Sequence, residues 1–521
     1  MTLTGVITAL APEWILLIGA CVVLLLGVVG RSPGRFVSLF ALLTVAAALI
    51  ASLGMSFPDG EVLPGLWLNP LTYFARLIAL SIGLPIMLVN WRQAAMGEKG
   101  EYASMVLFSL LGVLLTASAN DWVVLFFAIE LVSVPTYVLI ALSRDDPRAS
   151  ESAIKYFFLG ALSAAILVFG LVFLYGASGT TTIHRVADTA VTSTLRTGAS
   201  LGSLTTIGLL LVFAGLAFKI AAVPFHVYAA DVYEGAASPV TGLLGFVPKF
   251  AGFLALIKVL SAVGWNLPAE LSWLIWIVAA ATMTIGNTLA LLQKNVKRML
   301  AYSSIAHTGY MLVALLVGPV AGQGPLHDGV AALLFYIAVY GAMNLGAFAM
   351  LGAFRIGERD AETLDDIAGI ARRAPAAALA LAICVFSLMG FPPTAGFLGK
   401  VYIFSSAFAL PGGHPMQHAM IVLAVIGVIN SAIGAAYYLR IVATAYAGKV
   451  VNHPLPVGGA PIRVGLALCA ITMLLLFAWP TLLTRQAKDA TIVLRKTVHF
   501  DSPRITLTEE SSWGGFRALQ P

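Results

Sequence analysis

Long apolar stretches recur along almost the whole chain, and they constrain the fold more than any other feature. Stretches of roughly 18 or more apolar residues predict helices that cross a membrane. Only 10% of the 521 residues are charged, against about 25% in an ordinary soluble domain. The sequence therefore predicts an all-α polytopic membrane protein with about fourteen transmembrane helices. These lie near residues 11–30, 34–56, 70–91, 101–119, 121–142, 151–176, 201–228, 238–263, 269–291, 298–317, 328–353, 375–410, 417–446 and 462–483.

The distribution of lysine and arginine predicts the orientation of these spans. When the connections are numbered alternately, one set holds sixteen basic residues. The other set, leaving out the C-terminal tail, holds only Arg185 and Arg196. Lysine and arginine concentrate in cytoplasmic loops, so the basic loops are predicted to be cytoplasmic and both termini to lie outside. The net charge of +6 is thus a topology signal and does not indicate a nucleic-acid surface.

The sequence offers no pattern for binding a cofactor. Cys21, Cys384 and Cys469 each lie in an apolar stretch without a second cysteine or histidine at ligand spacing, which argues against a disulfide, metal or iron–sulfur site. A phosphate-binding glycine loop and a dinucleotide fingerprint are also absent from the sequence. The first apolar stretch follows an acidic flank, so we interpret it as a span and not as a cleavable signal peptide. We expect this chain itself to bind no cofactor and no metal.

Charged residues deep in the predicted spans indicate function. A charged side chain at the bilayer centre costs about 2.5–3.5 kcal/mol, so such residues usually face a polar interior and have a role there. Glu130, interpreted as the only deep acid, and Lys249 lie near the middle of their spans, whereas Lys219 and Lys400 lie close to prolines. We assign these four residues to the functional site. The alternative is a static ion pair, but one acid cannot neutralise three lysines.

Three other basic residues in the spans have a structural interpretation as well. Arg76 and Lys155 lie near the ends of their helices, where a long side chain can extend to the surface. We favour this for Arg76, while for Lys155 a functional role is equally open. Lys258 follows Lys249 by nine positions, which places it on the opposite helix face, and a structural role for it is as well supported as a functional one.

Buried lysines near a carboxylate have the chemistry of a proton relay. Desolvation lowers the pKa of a lysine and an adjacent carboxylate raises it, so a lysine under both influences can exchange protons near neutral pH. Polar residues at helical spacing can connect such lysines. Histidines can also carry protons, although a lone histidine is more often a packed core residue; the candidates are His226 and His307. The polar stripes are Glu130, Ser133 and Tyr137; Ser303, His307 and Tyr310; and Tyr336, Tyr340 and Asn344.

Two spans, the seventh and the twelfth, contain helix-breaking prolines one to two turns from a lysine. Pro224 follows Lys219, and Pro392 and Pro393 precede Lys400. Broken helices at corresponding places in two halves predict inverted repeats of five helices each, spans 4–8 and 9–13. The predicted domains are residues 1–100 (spans 1–3), 101–263 and 264–446 (the two repeats), 447–484 (span 14) and a polar tail, 485–521. We expect the tail to pack outside, on the protein surface or on a neighbour.

With these residues in view, the chain resembles the antiporter-like membrane subunits of respiratory complex I, NADH-quinone oxidoreductase, and in particular their N-type member. The resemblance covers about residues 60 to 480. Lysine at position 400, where the M-type member has glutamate, favours the N-type, and the tail departs from the family pattern. The matching stretches are residues 117–121 with Glu130, 155–157, 218–219 with 224–226, 231–236 with Pro239, 295–305 and 390–400.

The resemblance implies a role for each of the four residues. Glu130 and Lys219 would be the interacting pair of a first half-channel, Lys249 the central relay, and Lys400 the link to the outer half-channel. Lys155, His226, His307 and Tyr310 are weaker candidates for the relay. The chain would be a subunit of a proton-translocating enzyme without redox catalysis of its own. NADH, FMN, iron–sulfur clusters and quinone would be bound by partner subunits.

The same resemblance implies a hetero-oligomer with other complex I membrane subunits in a bacterial inner membrane, with both termini periplasmic. Two alternatives stay open. One is a subunit of a multi-subunit sodium/proton antiporter or of a membrane-bound hydrogenase, which share this helix plan. The other is a scaffold subunit that transports nothing.

Overall fold

The computed structural model describes residues 2–29, 34–54, 59–91, 99–184, 202–265, 267–319, 325–357, 359–410 and 413–495. These residues are almost entirely helical, which confirms the predicted fold class. The basic residues Arg185 and Arg196 lie outside the described residues. The helices are α1 Leu3–Ala9, α2 Ala11–Val28, α3 Gly34–Leu53, α4 Pro70–Val89, α5 Lys99–Ser118, α6 Trp122–Ala141, α7 Pro147–Ser178, α8 Ser203–Lys219, α9 Ala229–Gly235, α10 Ser238–Ala262, α11 Ala269–Leu291, α12 Val296–Val317, α13 Gly329–Gly352, α14 Leu364–Ile367, α15 Pro375–Met389, α16 Ala395–Ala407, α17 Gln417–Ala447, α18 Gly459–Ala478 and α19 Thr481–Arg495.

Five short strands accompany the helices. In the described part of the chain they form an antiparallel pair, β1–β2, and a three-stranded sheet in the order β4–β3–β5. They are β1 Gly60–Leu63, β2 Leu66–Leu68, β3 Phe354–Ile356, β4 Arg359–Asp360 and β5 Leu455–Pro456.

The helices reproduce the predicted spans with two informative exceptions. Among the described residues, twelve helices are long and apolar enough to cross a membrane. The predicted spans 201–228 and 375–410 are each divided instead. The first consists of α8 followed by an unwound segment, with α9 beginning directly after it, and the second consists of α15 and α16. The prolines therefore interrupt the two spans in which the sequence predicted breaks, while the five-helix repeats remain a prediction.

Short polar side chains define where several of the helices begin. Asp121 accepts hydrogen bonds from the first backbone N–H groups of α6, and Asp146 does so for α7. Asn295 and Asp328 cap α12 and α13 in the same way. Each carboxylate or amide oxygen satisfies an N–H group that has no partner within the helix.

Helices α10 and α13 form the centre of the bundle and are buried along their whole length. Small residues allow neighbouring helices to approach α13 closely. A side chain at Gly346 would lie 2.4 Å from the Cys384 sulfur and 3.0 Å from Cβ of Cys469. These two cysteines are thus small packing residues, as expected. Cys21 is exposed on α2, so it is not a core residue.

The unwound segment after α8 is stabilised by side chains from other elements. The Ile220 carbonyl accepts a hydrogen bond of 2.7 Å from Thr308, and the Phe218 carbonyl accepts one of 2.8 Å from Tyr228. The Val223 N–H donates to the Thr282 hydroxyl at 3.0 Å. Non-helical backbone at membrane depth is tolerated where protein groups satisfy it. Helices α11 and α12 therefore provide the partners that allow α8 to end within the bundle.

The break between α15 and α16 is satisfied in a similar way. The Thr394 hydroxyl donates to the Phe391 carbonyl at 2.6 Å, and the Gly396 N–H donates to the Ser387 hydroxyl at 3.1 Å. Lys400 extends back from α16 and donates to the Met389 carbonyl, the last residue of α15, at 2.9 Å. The second break therefore holds a lysine directly against the end of a half-helix.

A cluster of ion pairs joins several elements at one end of the bundle. We call this end of the bundle the basic face. Arg144 contacts Glu362 and, at 3.0 Å, Asp360, and Lys297 contacts Glu362 at 3.2 Å. Burial raises the pKa of Asp360, but Arg144 and Lys297 outweigh this effect, and the net pKa is lowered. The cluster connects the end of α6, the start of α12 and the segment between α13 and α14. Its acids lie in a loop whose pairing the sequence pattern did not indicate.

The beginning of the predicted tail is an amphipathic helix. Helix α19 starts at Thr481, and its side chains Ala487 and Ala490 are completely buried. Thr491 donates a hydrogen bond of 3.2 Å to Asp328, which caps α13. The expectation that the tail packs on the protein surface is thus confirmed for α19. The remainder of the tail, residues 496–521, lies outside the described residues.

Candidate functional site

The Lys219 ammonium lies at the end of α8 and is surrounded by three side chains of α6. Its Nζ atom is 2.8 Å from a carboxylate oxygen of Glu130, 2.8 Å from the Ser133 hydroxyl and 3.5 Å from the Tyr137 hydroxyl. The predicted stripe Glu130, Ser133 and Tyr137 therefore shares one face and binds one lysine. The two charged side chains differ in exposure, at 3% for Lys219 and 19% for Glu130.

Glu130 is not the only acid held inside the spans, contrary to the interpretation from the sequence. Glu13 in α2 is buried and binds Arg76 of α4 through both carboxylate oxygens, at 2.8 and 2.9 Å. The Arg76 side chain is completely buried, so the prediction that it reaches the outer surface is wrong. In the sequence Glu13 is the acidic flank of the first apolar stretch, and its partner lies 63 positions away in the chain. Two nitrogen atoms of the Arg76 guanidinium each donate to one oxygen of the Glu13 carboxylate. Such a two-point ion pair holds both side chains in one position.

We expect the Glu13–Arg76 pair to be structural. Neutralising one partner strands the other charge in a buried site, which typically costs about 3–5 kcal/mol. Glu13→Gln and Arg76→Met should each reduce the amount of folded protein in the membrane, and the double variant should recover most of it. The measurement is the yield and thermal stability of the purified protein. Single variants with unchanged stability would contradict a fixed bridge.

Lys249 lies in the middle of the fully buried helix α10 and binds α12. Its Nζ atom contacts the backbone carbonyl of Ser304 and lies 2.5 Å from the Ser304 hydroxyl. Tyr340 of α13 donates to the same hydroxyl at 2.8 Å, and the Lys249 Nζ atom is 5.5 Å from the centre of the Tyr340 ring. Lys249 is therefore tied to the polar stripe of α13 through Ser304.

A small cavity lies between Lys219 and Lys249. Its walls include both lysines and the aromatic rings of Tyr156, Tyr228 and Tyr233. It has room for about one water molecule. The first lysine and the central one therefore share one small cavity.

His307 is the centre of a second hydrogen-bond cluster, which lies next to the one around Lys249. Its Nδ1 atom lies 2.5 Å from the Tyr336 hydroxyl and its Nε2 atom 2.9 Å from the Tyr438 hydroxyl. The Tyr340 ring lies beside the imidazole, with ring centroids 5.2 Å apart. His307 is completely enclosed, and both ring nitrogens have a partner. The structure thus connects two of the predicted polar stripes through this histidine.

Lys400 lies beside Tyr310, a neighbour of His307, and forms hydrogen bonds of its own. Its Nζ atom donates to the Met389 carbonyl at 2.9 Å and to the Ser431 hydroxyl at 2.8 Å. It also lies 5.0 Å from the centre of the Tyr310 ring, and the Tyr310 and His307 rings are 5.6 Å apart. Neighbouring contacts thus lead from Glu130 to Lys219, across the cavity to Lys249, and past tyrosine rings to His307 and Lys400. The order of proton transfer among these residues stays a prediction.

Helices α11 and α17 contribute polar residues that the sequence analysis did not include. Asn287 donates to Tyr310 at 3.0 Å and accepts from Tyr437 at 2.9 Å. Tyr438 binds His307 and Ser303. A usable signal was present, because Asn430 and Tyr437, like Ser431 and Tyr438, stand seven positions apart in an otherwise apolar helix.

Two of the weaker candidates, Lys155 and His226, lie apart from this interior row. The Lys155 side chain is 45% exposed and pairs with Glu151 at 2.6 Å, as expected for a lysine that extends to the surface. His226 lies in the unwound segment and is half-buried, and its Nδ1 atom has no partner among the described residues. The buried Lys258 amine also makes no hydrogen bond within the described part of the chain. Tyr310 is the weaker candidate that joins the network directly, along with His307.

Comparison with known proteins identifies the family. Residues 119–434 match the model of the family described as "NADH:quinone oxidoreductase/Mrp antiporter, TM". The chain belongs to this family. The matched region contains Glu130, Lys219, Lys249, His307 and Lys400, together with Asn430 and Ser431 of α17.

Individual members of this family are similar over most of their length. The chain is 37% identical over 448 residues to NADH-quinone oxidoreductase subunit N of Trichlorobacter lovleyi, covering 84% of this chain and 87% of that protein. A chain of respiratory complex I from Thermus thermophilus is 30% identical with a TM-score of 0.74, covering 91% of this chain and 98% of that one. A chain of the Mrp complex from Dietzia sp. DQ12-45-1b has a TM-score of 0.79 at 19% identity, covering 95% and 98%.

Proposed function

We propose that this chain is the N-type antiporter-like subunit of a proton-translocating NADH:quinone oxidoreductase. In this proposal protons pass along Glu130, Lys219, Lys249, His307 and Lys400. The observation that carries the proposal is a set of three buried lysines, Lys219, Lys249 and Lys400, which lie among hydroxyl and imidazole groups beside two broken helices. A membrane protein without a transport function has no need for three buried lysines with so few acids beside them.

The relatives favour this assignment over the antiporter alternative. The relative with 37% identity is named subunit N of NADH-quinone oxidoreductase, and the 30% identical structure is a chain of respiratory complex I. The Mrp chain, at 19% identity, supports the fold alone. The complex I chain and the Mrp chain share the same arrangement of helices with this chain. The choice between the complex I and the antiporter function therefore rests on sequence identity and not on the fold.

The chemistry expected of this chain is proton transfer alone. We propose that other subunits bind NADH, FMN, iron–sulfur clusters and quinone, and that quinone reduction there drives the relay. Driving one charge against 100 mV requires about 2.3 kcal/mol. Displacing a carboxylate from a buried ammonium changes the interaction energy by an amount of this order, so a change of partner at Lys219 is a sufficient physical step.

The proposed orientation places the basic face in the cytoplasm of a bacterial inner membrane and both termini in the periplasm. The excess of lysine and arginine in alternate connections supports it. In this orientation α9 would lie between the cytoplasm, from which protons are taken up, and the cavity beside Lys219. Helix α19 would cover the periplasmic ends of α4 and α13.

Purification of the tagged chain from its native membrane tests the assignment. We expect subunits with flavin, iron–sulfur and quinone sites to copurify with it. Recovery of only small antiporter subunits would contradict the proposal. The scaffold alternative makes a separate prediction, since it requires that neutralising Glu130 or Lys249 leaves proton pumping intact.

A further inference from the structure

Helix α9 is a thin wall between the interior cavity and the basic face. Val232 and Tyr233 line the cavity between Lys219 and Lys249. Asp231 and Glu234, on the other side of the same helix, are partly exposed. One short helix therefore separates the two buried lysines from the solvent at this face.

The C-terminal end of α9 is held by buried contacts. Lys297 donates to the backbone carbonyls of Glu234 and Ala236 at 2.9 and 2.5 Å. Just beyond the helix, the Ser238 N–H donates to the Asp360 carboxylate at 2.9 Å. Breaking these contacts would leave buried backbone carbonyl and N–H groups without hydrogen-bond partners, which is costly. This end is therefore fixed and can serve as a hinge.

The solvent side of α9 is held by exposed ion pairs. Arg298 contacts Asp231 at 3.0 Å and Glu234 at 2.6 Å, and all three side chains are between 28% and 45% exposed. Lys155 approaches Asp231 more distantly, at 3.7 Å. Ion pairs with this exposure are weak because water competes for each charge. The Ser152 hydroxyl of α7 also donates to the Asp231 carbonyl at 3.2 Å. Opening this side therefore breaks one hydrogen bond besides the exposed ion pairs and leaves the contacts of the buried end in place.

An aromatic stack closes the passage where α9 begins. The Tyr228 ring lies 4.3 Å from the Phe218 ring and 5.1 Å from the Tyr156 ring. Both tyrosines also line the cavity. The preceding segment is unwound, and Val227 within it is 69% exposed. A displacement of α9 about its fixed end would separate these rings and connect the cavity with the basic face.

We propose that α9 is a lid that controls water access from the basic face to the cavity between Lys219 and Lys249, and that Arg298 latches it. The lid itself follows from the contacts of α9. Its role as the uptake point for protons rests on the proposed function.

The test is thiol labelling of a cysteine placed on the inner side of the lid. Val232→Cys, in a background without the three native cysteines, would be exposed to a hydrophilic, membrane-impermeant thiol reagent in inverted vesicles. Val232 is buried, so we expect slow labelling. Arg298→Gln should accelerate it roughly five-fold, which corresponds to about 1 kcal/mol of latch energy.

Matched variants make the result decisive. Arg372→Gln removes an exposed arginine elsewhere and should leave the labelling of Val232→Cys unchanged. Arg373→Cys, also exposed, should react rapidly in every background. If Arg298→Gln reduces the yield, Glu234→Gln removes half of the latch and should accelerate labelling to a smaller extent. If Val232→Cys is labelled at the same rate with Arg298 and with Arg298→Gln, the proposal that α9 is a lid is wrong. Labelling is measured without NADH, so this outcome is independent of whether the chain pumps protons.

Discussion

Replacing Lys249 by methionine is expected to slow proton pumping on the order of 100-fold while the complex still assembles. Without the amine, a proton crossing the centre of the subunit has no group to bind. A charge at the bilayer centre costs about 2.5–3.5 kcal/mol, and each 1.36 kcal/mol corresponds to a tenfold change in rate. The rate of quinone reduction that is coupled to pumping should fall together with the pumping rate. The measurement is the initial rate of NADH-driven acidification in inverted vesicles.

Assembly should survive because the partners of Lys249 keep other hydrogen bonds. The Ser304 hydroxyl still accepts from Tyr340 at 2.8 Å, and the Ser304 carbonyl still accepts from Thr308 at 3.3 Å. Methionine also preserves most of the buried volume. Lys258→Met is the matched control, since this lysine lies on the same helix but away from the row. A control variant that loses more pumping than Lys249→Met would contradict the assigned order of the relay.

Replacing Glu130 by glutamine is expected to abolish most proton pumping without loss of the folded complex. Lys219 keeps the Ser133 hydroxyl at 2.8 Å and the Tyr137 hydroxyl at 3.5 Å, so its charge is not stranded when the carboxylate is removed. Glu130 is also partly exposed, and its carboxylate contacts Lys219 through one oxygen. A pair with these properties can open and close, and the lysine releases its proton most readily when the pair is open.

The Glu13–Arg76 pair provides the comparison for this prediction. Glu13→Gln should lower the yield of folded protein, because both carboxylate oxygens are engaged and the arginine is completely buried. Glu130→Gln should give a normal yield and low pumping. Equal losses of yield in the two variants would contradict the distinction between a fixed bridge and a switchable pair.

Much of the fold could be predicted because it depends on local properties of the sequence. Apolar stretches determine where the helices lie, and prolines determine where α8 and α15 end. Helical spacing was sufficient to place Glu130, Ser133 and Tyr137 on one face, and the structure then brings Lys219 to that face. The order of the lysines followed from the resemblance to a known family as much as from the residues themselves.

Pairing between distant segments could not be predicted from local patterns. Glu13 and Arg76 are ordinary residues in their own helices, and only their approach in the folded bundle makes them a buried pair. Tyr438 reaches His307 across 131 positions, and no periodicity in one helix indicates such a partner. The acids Asp360 and Glu362 lie in a connecting segment, where hydropathy carries no information about ion pairs. Three-dimensional packing decides all of these contacts.

The most direct test of the relay is the number of protons pumped per quinone reduced in the double variant Glu130→Gln, Lys219→Met. A switchable pair requires both groups, so we expect the complex to form in normal amounts and the ratio to stay as low as in Glu130→Gln alone. A static ion pair would instead be replaced by two neutral groups without loss. Full recovery of the wild-type ratio in the double variant would contradict the account.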